Sequence, residues 1–122
     1  MRFMMIIRPP ATAYDQPINH EEMAAMGRYN DELRRAGVLR EVNGLLPPAE
    51  GARVRFAGSK RTVIDGPFSE AKEMIGGYWI LEVGSKEEAL AWAQRIPLGT
   101  EVHPGHETEV EVRRIAEPSD LA

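Results

Sequence analysis

Residues 62–83 read TVIDGPFSEAKEMIGGYWILEV, and this stretch decides the fold. Thr62-Val63-Ile64 is β-branched and runs into Asp65-Gly66-Pro67-Phe68, a corner with a mechanism. An Asp side chain bonds its own backbone two residues on, Gly accepts positive φ, and Pro fixes φ near the value a turn needs. Ser69 to Met74 offers a capping residue and good helix formers, enough for about one turn. Gly76-Gly77 stops it. Tyr78 to Val83 is then an almost unbroken aromatic and aliphatic run, as expected of a strand buried on both faces. The stretch is strand, corner, short polar turn, strand.

Upstream, Arg53-Val54-Arg55-Phe56 alternates charged with apolar residues, Gly58-Ser59 turns, and Arg61 to Ile64 returns, which predicts a β-hairpin arm. Val38 to Val42 is extended, followed by a turn with two prolines at Gly44 to Ala49. His20 to Ala36 places Met23, Met26, Tyr29 or Asn30, Leu33 and Ala36 at three- and four-residue intervals, an amphipathic helix with Asn19 to cap it and Gly37 to close it. Phe3 to Ile7 is apolar at successive positions and reads as a central strand, ended by Pro9-Pro10 before a loop over Ala11 to Asn19. Downstream, Ser85 and Glu88 have capping-box spacing and Ala89, Trp92, Ala93 and Ile96 form a helical stripe that Pro97 ends. Leu98 to His106 is a polar loop, and Glu107 to Ile115 alternates as a strand with one wet face.

The order predicts an α+β domain, a βαββαβ skeleton with an inserted β-hairpin arm and two helices on one sheet face. Residues 1–116 are expected to form the single domain and 117–122 a loose C-terminal tail.

The chain has 122 residues, no cysteine and a net charge of −4 with both signs interspersed. One core without disulfides is expected, in a reducing, cytoplasmic setting. The charge argues against direct nucleic-acid binding, and the Phe3 to Ile7 run is too short for a signal or membrane segment. Phosphate-loop, dinucleotide and nucleophile-elbow motifs are absent, so no cofactor is expected.

With these residues in place, the chain resembles the DGPF-type branch of the YCII-related family of small bacterial proteins. The resemblance rests on DGPF and its Ser-Glu-Ala-Lys-Glu turn, Gly76-Gly77 with the strand after it, the Phe3 to Ile7 strand, Asn30 to Leu33 leading into Ala36 to Leu39, Leu45 to Pro48, the helix around Ala89 to Pro97, and Val110 to Arg113. It implies a ferredoxin-like fold paired into a dimeric α/β barrel, and no established activity. Relatives are proposed to use a His on the first helix and an Asp before the proline ending the second; those places hold Met26 and Ile96 here.

Physics points to pairing as well. Phe3 to Ile7 and Tyr78 to Val83 carry large side chains toward both faces, and an open face bearing them would exceed the apolar patch that soluble monomers usually expose. A second copy is the simplest cover, so a homodimer is expected.

Asp65, at the corner of the arm, is the candidate acid or base, with His20 or Lys72 assisting; the alternatives are turn hydrogen bonds for Asp65 and a surface histidine beside Glu21 and Glu22. Asn30 falls on the inner helical stripe and needs a partner from backbone, water or ligand. Tyr78 and Trp79 must face opposite sides of the sheet, so one lies on the dimer side. Phe68, Lys72, Asn30, Asp65, Tyr78 and Trp79 form the candidate ligand-binding set. His103 and His106 with Glu101 and Glu107 lack a full ligand complement, so no metal is expected.

Three functions follow: a homodimeric protein binding a small organic ligand or acting as an accessory, which the resemblance places near sigma-factor pathways; a small lyase, isomerase or dehydrochlorinase acting on a cyclic or aromatic acid with Asp65 as acid/base; or a purely structural domain.

Overall fold

The computed structural model describes residues 1–10, 19–66, 74–98 and 107–122. Residues 11–18, 67–73 (with Phe68 and Lys72) and 99–106 (with His103 and His106), expected from the sequence as a loop, a turn and a loop, lie outside the described residues. The element order is β1 (Arg2–Arg8), α1 (His20–Arg35), β2 (Leu39–Gly44), β3 (Ala52–Ala57), β4 (Lys60–Asp65), β5 (Gly77–Glu82), α2 (Lys86–Gln94) and β6 (Glu109–Arg114). Four strands form one sheet in the order β2-β5-β1-β6, and β3 and β4 pair apart from it. Neighbours in the large sheet are antiparallel, so β1 and β2 run parallel on either side of β5. This mixed α+β arrangement is compatible with a ferredoxin-like fold.

Local chemistry sets the helix ends. The Asn19 side chain accepts from the Glu22 N–H at 3.0 Å, and Gly37 N–H to Arg34 O with Val38 N–H to Leu33 O close the far end as a Schellman motif. At α2, Ser85 Oγ accepts from the Glu88 N–H at 3.1 Å, while the Glu88 carboxylate reaches the Gly84 N–H at 2.8 Å. That return bond lies one residue before the position a capping box uses.

The core fills one side of the large sheet. Phe3 and Met5 of β1, Trp79 and Leu81 of β5, Tyr29 and Leu33 of α1, and Ala89 and Ile96 by α2 form one buried cluster. Met23, expected on the inner stripe of α1, is exposed, while Met26, Tyr29 and Leu33 further along pack on the core. In the single chain the two faces of β5 are covered unequally. Trp79 is 2% exposed, whereas Tyr78 and Ile80 on the opposite face are half-buried and Glu82 is exposed.

A bulge corrects the parity of β2. Leu39 pairs with Leu81 and Val42 with Trp79, yet three residues separate Leu39 from Val42, which would put them on opposite faces of a regular strand. The register shift between Leu39 and Glu41 supplies the extra residue, so both pack on the core and Glu41 and Asn43 face away from it.

The arm is held at its root. The Gly66 N–H donates to Gly51 O at 2.9 Å, and a Cβ on Gly66 would stand 1.9 Å from the carbonyl oxygen of Pro48. No side chain fits there. Two residues of the expected C-terminal tail, Glu117 and Asp120, are held by side-chain bonds. Arg2 donates from Nε and a terminal nitrogen to the two Glu117 oxygens, at 2.8 and 3.3 Å, and Arg114 reaches Asp120 at 2.8 Å. The Asp120 carboxylate also accepts from the Glu117 N–H at 2.8 Å.

Two outcomes follow. Gly66→Ala should lower unfolding free energy by about 1–3 kcal/mol through overpacking on a backbone carbonyl, whereas Gly27→Ala, in α1 with nothing within 4 Å of the new Cβ, should raise it by about 0.5–1 kcal/mol. Urea denaturation at one fixed chain concentration measures both, and equal effects would contradict the Gly66 contact. Second, the Arg2 guanidinium holds Glu117 below the ordinary carboxylate range, and the Glu117 N–H, then Arg114, does so for Asp120. Groups with depressed folded values contribute above the ordinary range, and the contribution is lost as pH falls through the lowered values. The protection of the Glu117, Asp120 and Leu121 amides, measured against their intrinsic exchange rates, should therefore fall on acidification ahead of that of the sheet; a pH-independent ratio of the two would refute these contacts.

Candidate functional site

The helix-free face of the large sheet is built by the register. Met4 pairs with Ile80 and Ile6 with Tyr78 across β1 and β5, and Arg113 and Glu111 flank Met4 and Ile6 from β6. Met4 and Ile80 are half-buried and Ile6 is only 8% exposed. At the β2 side, the Tyr78 hydroxyl donates to Glu41 Oε2 at 2.9 Å and accepts from Asn43 Nδ2 at 3.0 Å. On the β6 side, Arg8 pairs with Glu111 at 3.1 Å.

This arrangement has a definite chemistry. A phenol spends its proton on a carboxylate and one lone pair on an amide, which fixes its orientation. The Glu41 carboxylate keeps acceptor capacity for a further N–H or O–H donor beside an apolar floor of Met4, Ile6 and Ile80. The polar groups are open to water in the single chain, so each hydrogen bond there contributes modestly.

The opposite side of β5 is a closed aromatic cluster. The Trp79 indole N–H donates to Asn30 Oδ1 at 2.8 Å, and the Tyr29 ring meets Trp79 and Trp92 edge-on at centroid distances of 5.9 and 6.5 Å. The Tyr29 hydroxyl donates to Trp92 O at 2.7 Å, and burial, aided by Glu32 and opposed by Arg95, pushes its pKa above the ordinary tyrosine value. Tyr29 is thus a permanent donor tying α1 to α2. Beside it a shallow groove of about 240 Å³ is lined by Arg28, Glu32, Arg95 and Pro97, with Arg95 paired to Glu32. A wider groove of about 420 Å³ lies between Met1, Phe3, Ser85, Val112 and Arg114.

The residues singled out by sequence are dispersed. Tyr78 stands on the open face, Trp79 and Asn30 are engaged with each other in the interior, His20 is exposed at the first position of α1, and Asp65 is exposed at the end of β4. Among the described residues, no hydrogen bond or ion pair joins His20 to Asp65 or either to Tyr78. Phe68 and Lys72 lie outside the described residues. Met26 and Ile96, at the places where relatives are proposed to carry a His and an Asp, both pack in the apolar core. Among the described residues, no cluster of three or more His, Cys, Asp or Glu suits a metal ion, and no helix is long and apolar enough to cross a membrane.

Sequence reasoning missed Glu41 and Asn43. Read as a regular strand, Leu39, Glu41 and Asn43 share a face, and only the bulge separates them. Arg8 and Glu111 were missed because they are 103 positions apart and meet only through the β1–β6 register.

An uncharacterized protein of Rhizobium meliloti (strain 1021) is 37% identical over 59 residues, 48% of this chain and 48% of that protein. The match therefore spans about half the length of that relative. The model of the YCII-related domain matches residues 1–116, which takes in β1 through β6 and both helices: the chain belongs to the YCII-related family.

Proposed function

We propose that this protein is a homodimeric small-molecule-binding protein whose ligand lies on the helix-free face of the sheet, beneath a second copy. The observation that carries the reading is the Tyr78–Glu41–Asn43 network, set at the edge of an apolar floor and oriented by two hydrogen bonds. The ligand class that suits it is a small organic molecule with an apolar or aromatic body and one N–H or O–H donor. The body lies over Ile6 and Ile80 and the donor meets Glu41. A second copy placed sheet to sheet, as in a dimeric α/β barrel, would remove this face from water and strengthen the network's hydrogen bonds in the lower dielectric. Burying an apolar side chain fully is worth about 1.5–3 kcal/mol from full exposure; Met4 and Ile80 start half-buried and Ile6 is already buried, so each contributes less. A place in the DGPF-type branch and an accessory role in a sigma-factor-linked pathway belong to the same proposal, resting on the resemblance of the motifs.

The test has two arms. Light scattering at micromolar concentration should give twice the mass of the chain, and Ile80→Glu should shift it toward one chain. A thermal-shift screen of small aromatic amines, phenols and hydroxy acids should yield a stabilising compound, and Tyr78→Phe should weaken its binding about tenfold, the loss of one oriented hydrogen-bonding group. A hit whose affinity is unchanged in both Tyr78→Phe and Glu41→Gln would place the ligand elsewhere.

A further inference from the structure

The helix-free face of the large sheet carries a charge pattern set by its register. Glu41 pairs with Ile80, Ile80 with Met4 and Met4 with Arg113, so one row across the four strands reads acid, apolar, apolar, base. The next row reads Asn43, Tyr78, Ile6, Glu111. On the other side of the first row, Glu82 and Arg2 are paired across β5 and β1. Glu41 and Arg113 stand at opposite edges of the sheet, three strand spacings or about 14 Å apart. They do not meet within one chain: Glu41 takes the Tyr78 hydroxyl, and Arg113 reaches Glu111 at 3.5 Å. That ion pair is loose. The Arg113 side chain is 72% exposed, and Arg8 holds the same Glu111 carboxylate more closely, at 3.1 Å. Arg113 therefore keeps N–H donors, and Glu41 keeps lone pairs, for groups outside the chain.

A row acidic at one end and basic at the other is complementary to its own reverse. A two-fold axis parallel to the strands, passing between β5 and β1 and midway between facing sheets, lays each row reversed upon its own copy. Glu41 then stands over the partner's Arg113, and Ile80 over the partner's Met4. In the adjoining rows Asn43 meets the partner's Glu111, Tyr78 the partner's Ile6, and Glu82 the partner's Arg2. Acid meets base or amide, and apolar meets apolar, across the roughly 10 Å spacing of packed sheets. Arg8 and Glu109 form the last row, past the ends of β2 and β5, and meet no like charge of these four strands. An axis running across the strands does worse. Placed on the first row it sets Glu41 over the partner's Glu41, on the second row Glu111 over the partner's Glu111, and between them Arg2 over the partner's Arg8. Like charges facing each other cost affinity, so the pattern selects the axis along the strands.

We infer that Glu41 of each chain pairs with Arg113 of the partner subunit at both edges of the sheet face, about a two-fold axis parallel to the strands. The partner's Arg113 thereby joins the Tyr78–Glu41–Asn43 site, which neither chain completes alone. This rests on the homodimer reading above and assigns its axis and its ionic contacts.

Sedimentation equilibrium of the full chain gives the dimer dissociation constant for wild type, Glu41→Arg, Arg113→Glu and an equimolar mixture of the two variants, each with its far-UV spectrum. Either variant alone sets like charges at both junctions and should dimerise about tenfold or more weakly than wild type. In a mixed dimer both junctions again join acid to base, so the mixture should recover most of the lost affinity, more at about 50 mM than at about 500 mM NaCl. Coupling within a chain cannot produce this rescue, because each chain of the mixture carries one substitution. Should Glu41→Arg disturb the fold through Tyr78, Arg113→Gln on the exposed edge strand should dimerise more weakly than wild type, with a flatter salt dependence. Variants that dimerise as tightly as wild type, or a mixture no tighter than its components, overturn the pairing and leave the homodimer standing. A wild-type chain that is monomeric throughout overturns both.

Discussion

Side-chain alternation along β5 is the constraint on which the rest of this structure depends. Trp79 and Tyr78 are neighbours and must point to opposite faces. Trp79 goes under the helices, where Asn30 satisfies its indole N–H and Tyr29 packs edge-on; Tyr29 in turn bonds the backbone of α2 through Trp92. One strand residue thus locks both helices to the same side of the sheet. Tyr78 is left on the other side by the same geometry, and the polar network it organises is the counterpart of the closed aromatic core.

That network exists only because β2 is irregular. In a regular strand Glu41 and Asn43 would follow Leu39 into the apolar core, where an unpaired carboxylate is costly. The one-residue bulge lets Leu39 and Val42 both pack inward and turns the two polar residues toward Tyr78. Bulges recur where a strand must re-aim a side chain, and this one converts a packing conflict into a hydrogen-bonding array.

The helix-free face of the large sheet is only partly covered within the single chain. At its centre Met4 and Ile80 are half-buried and Ile6 is buried, and the Arg8–Glu111 pair stands at the β6 side.

Much of this was legible in the sequence. The periodicity of β1, α1, β5 and α2, the caps at Asn19 and Ser85, the Gly58-Ser59 turn and the alternation of Val110 and Val112 against Glu109, Glu111 and Arg113 fixed the element order, because each rests on interactions within a few residues. That Trp79 and Tyr78 diverge was equally determined. Which of them faces the helices was decided by the packing of Asn30 and Tyr29 from α1, positions 49 and 50 residues away. Likewise, only the folded chain brings Arg2 to Glu117, Arg8 to Glu111 and Tyr78 to Glu41. Local propensity acts along the backbone, but register, bulge parity and ion-pair partners are settled by which strand lies beside which, and that is a property of the assembled sheet.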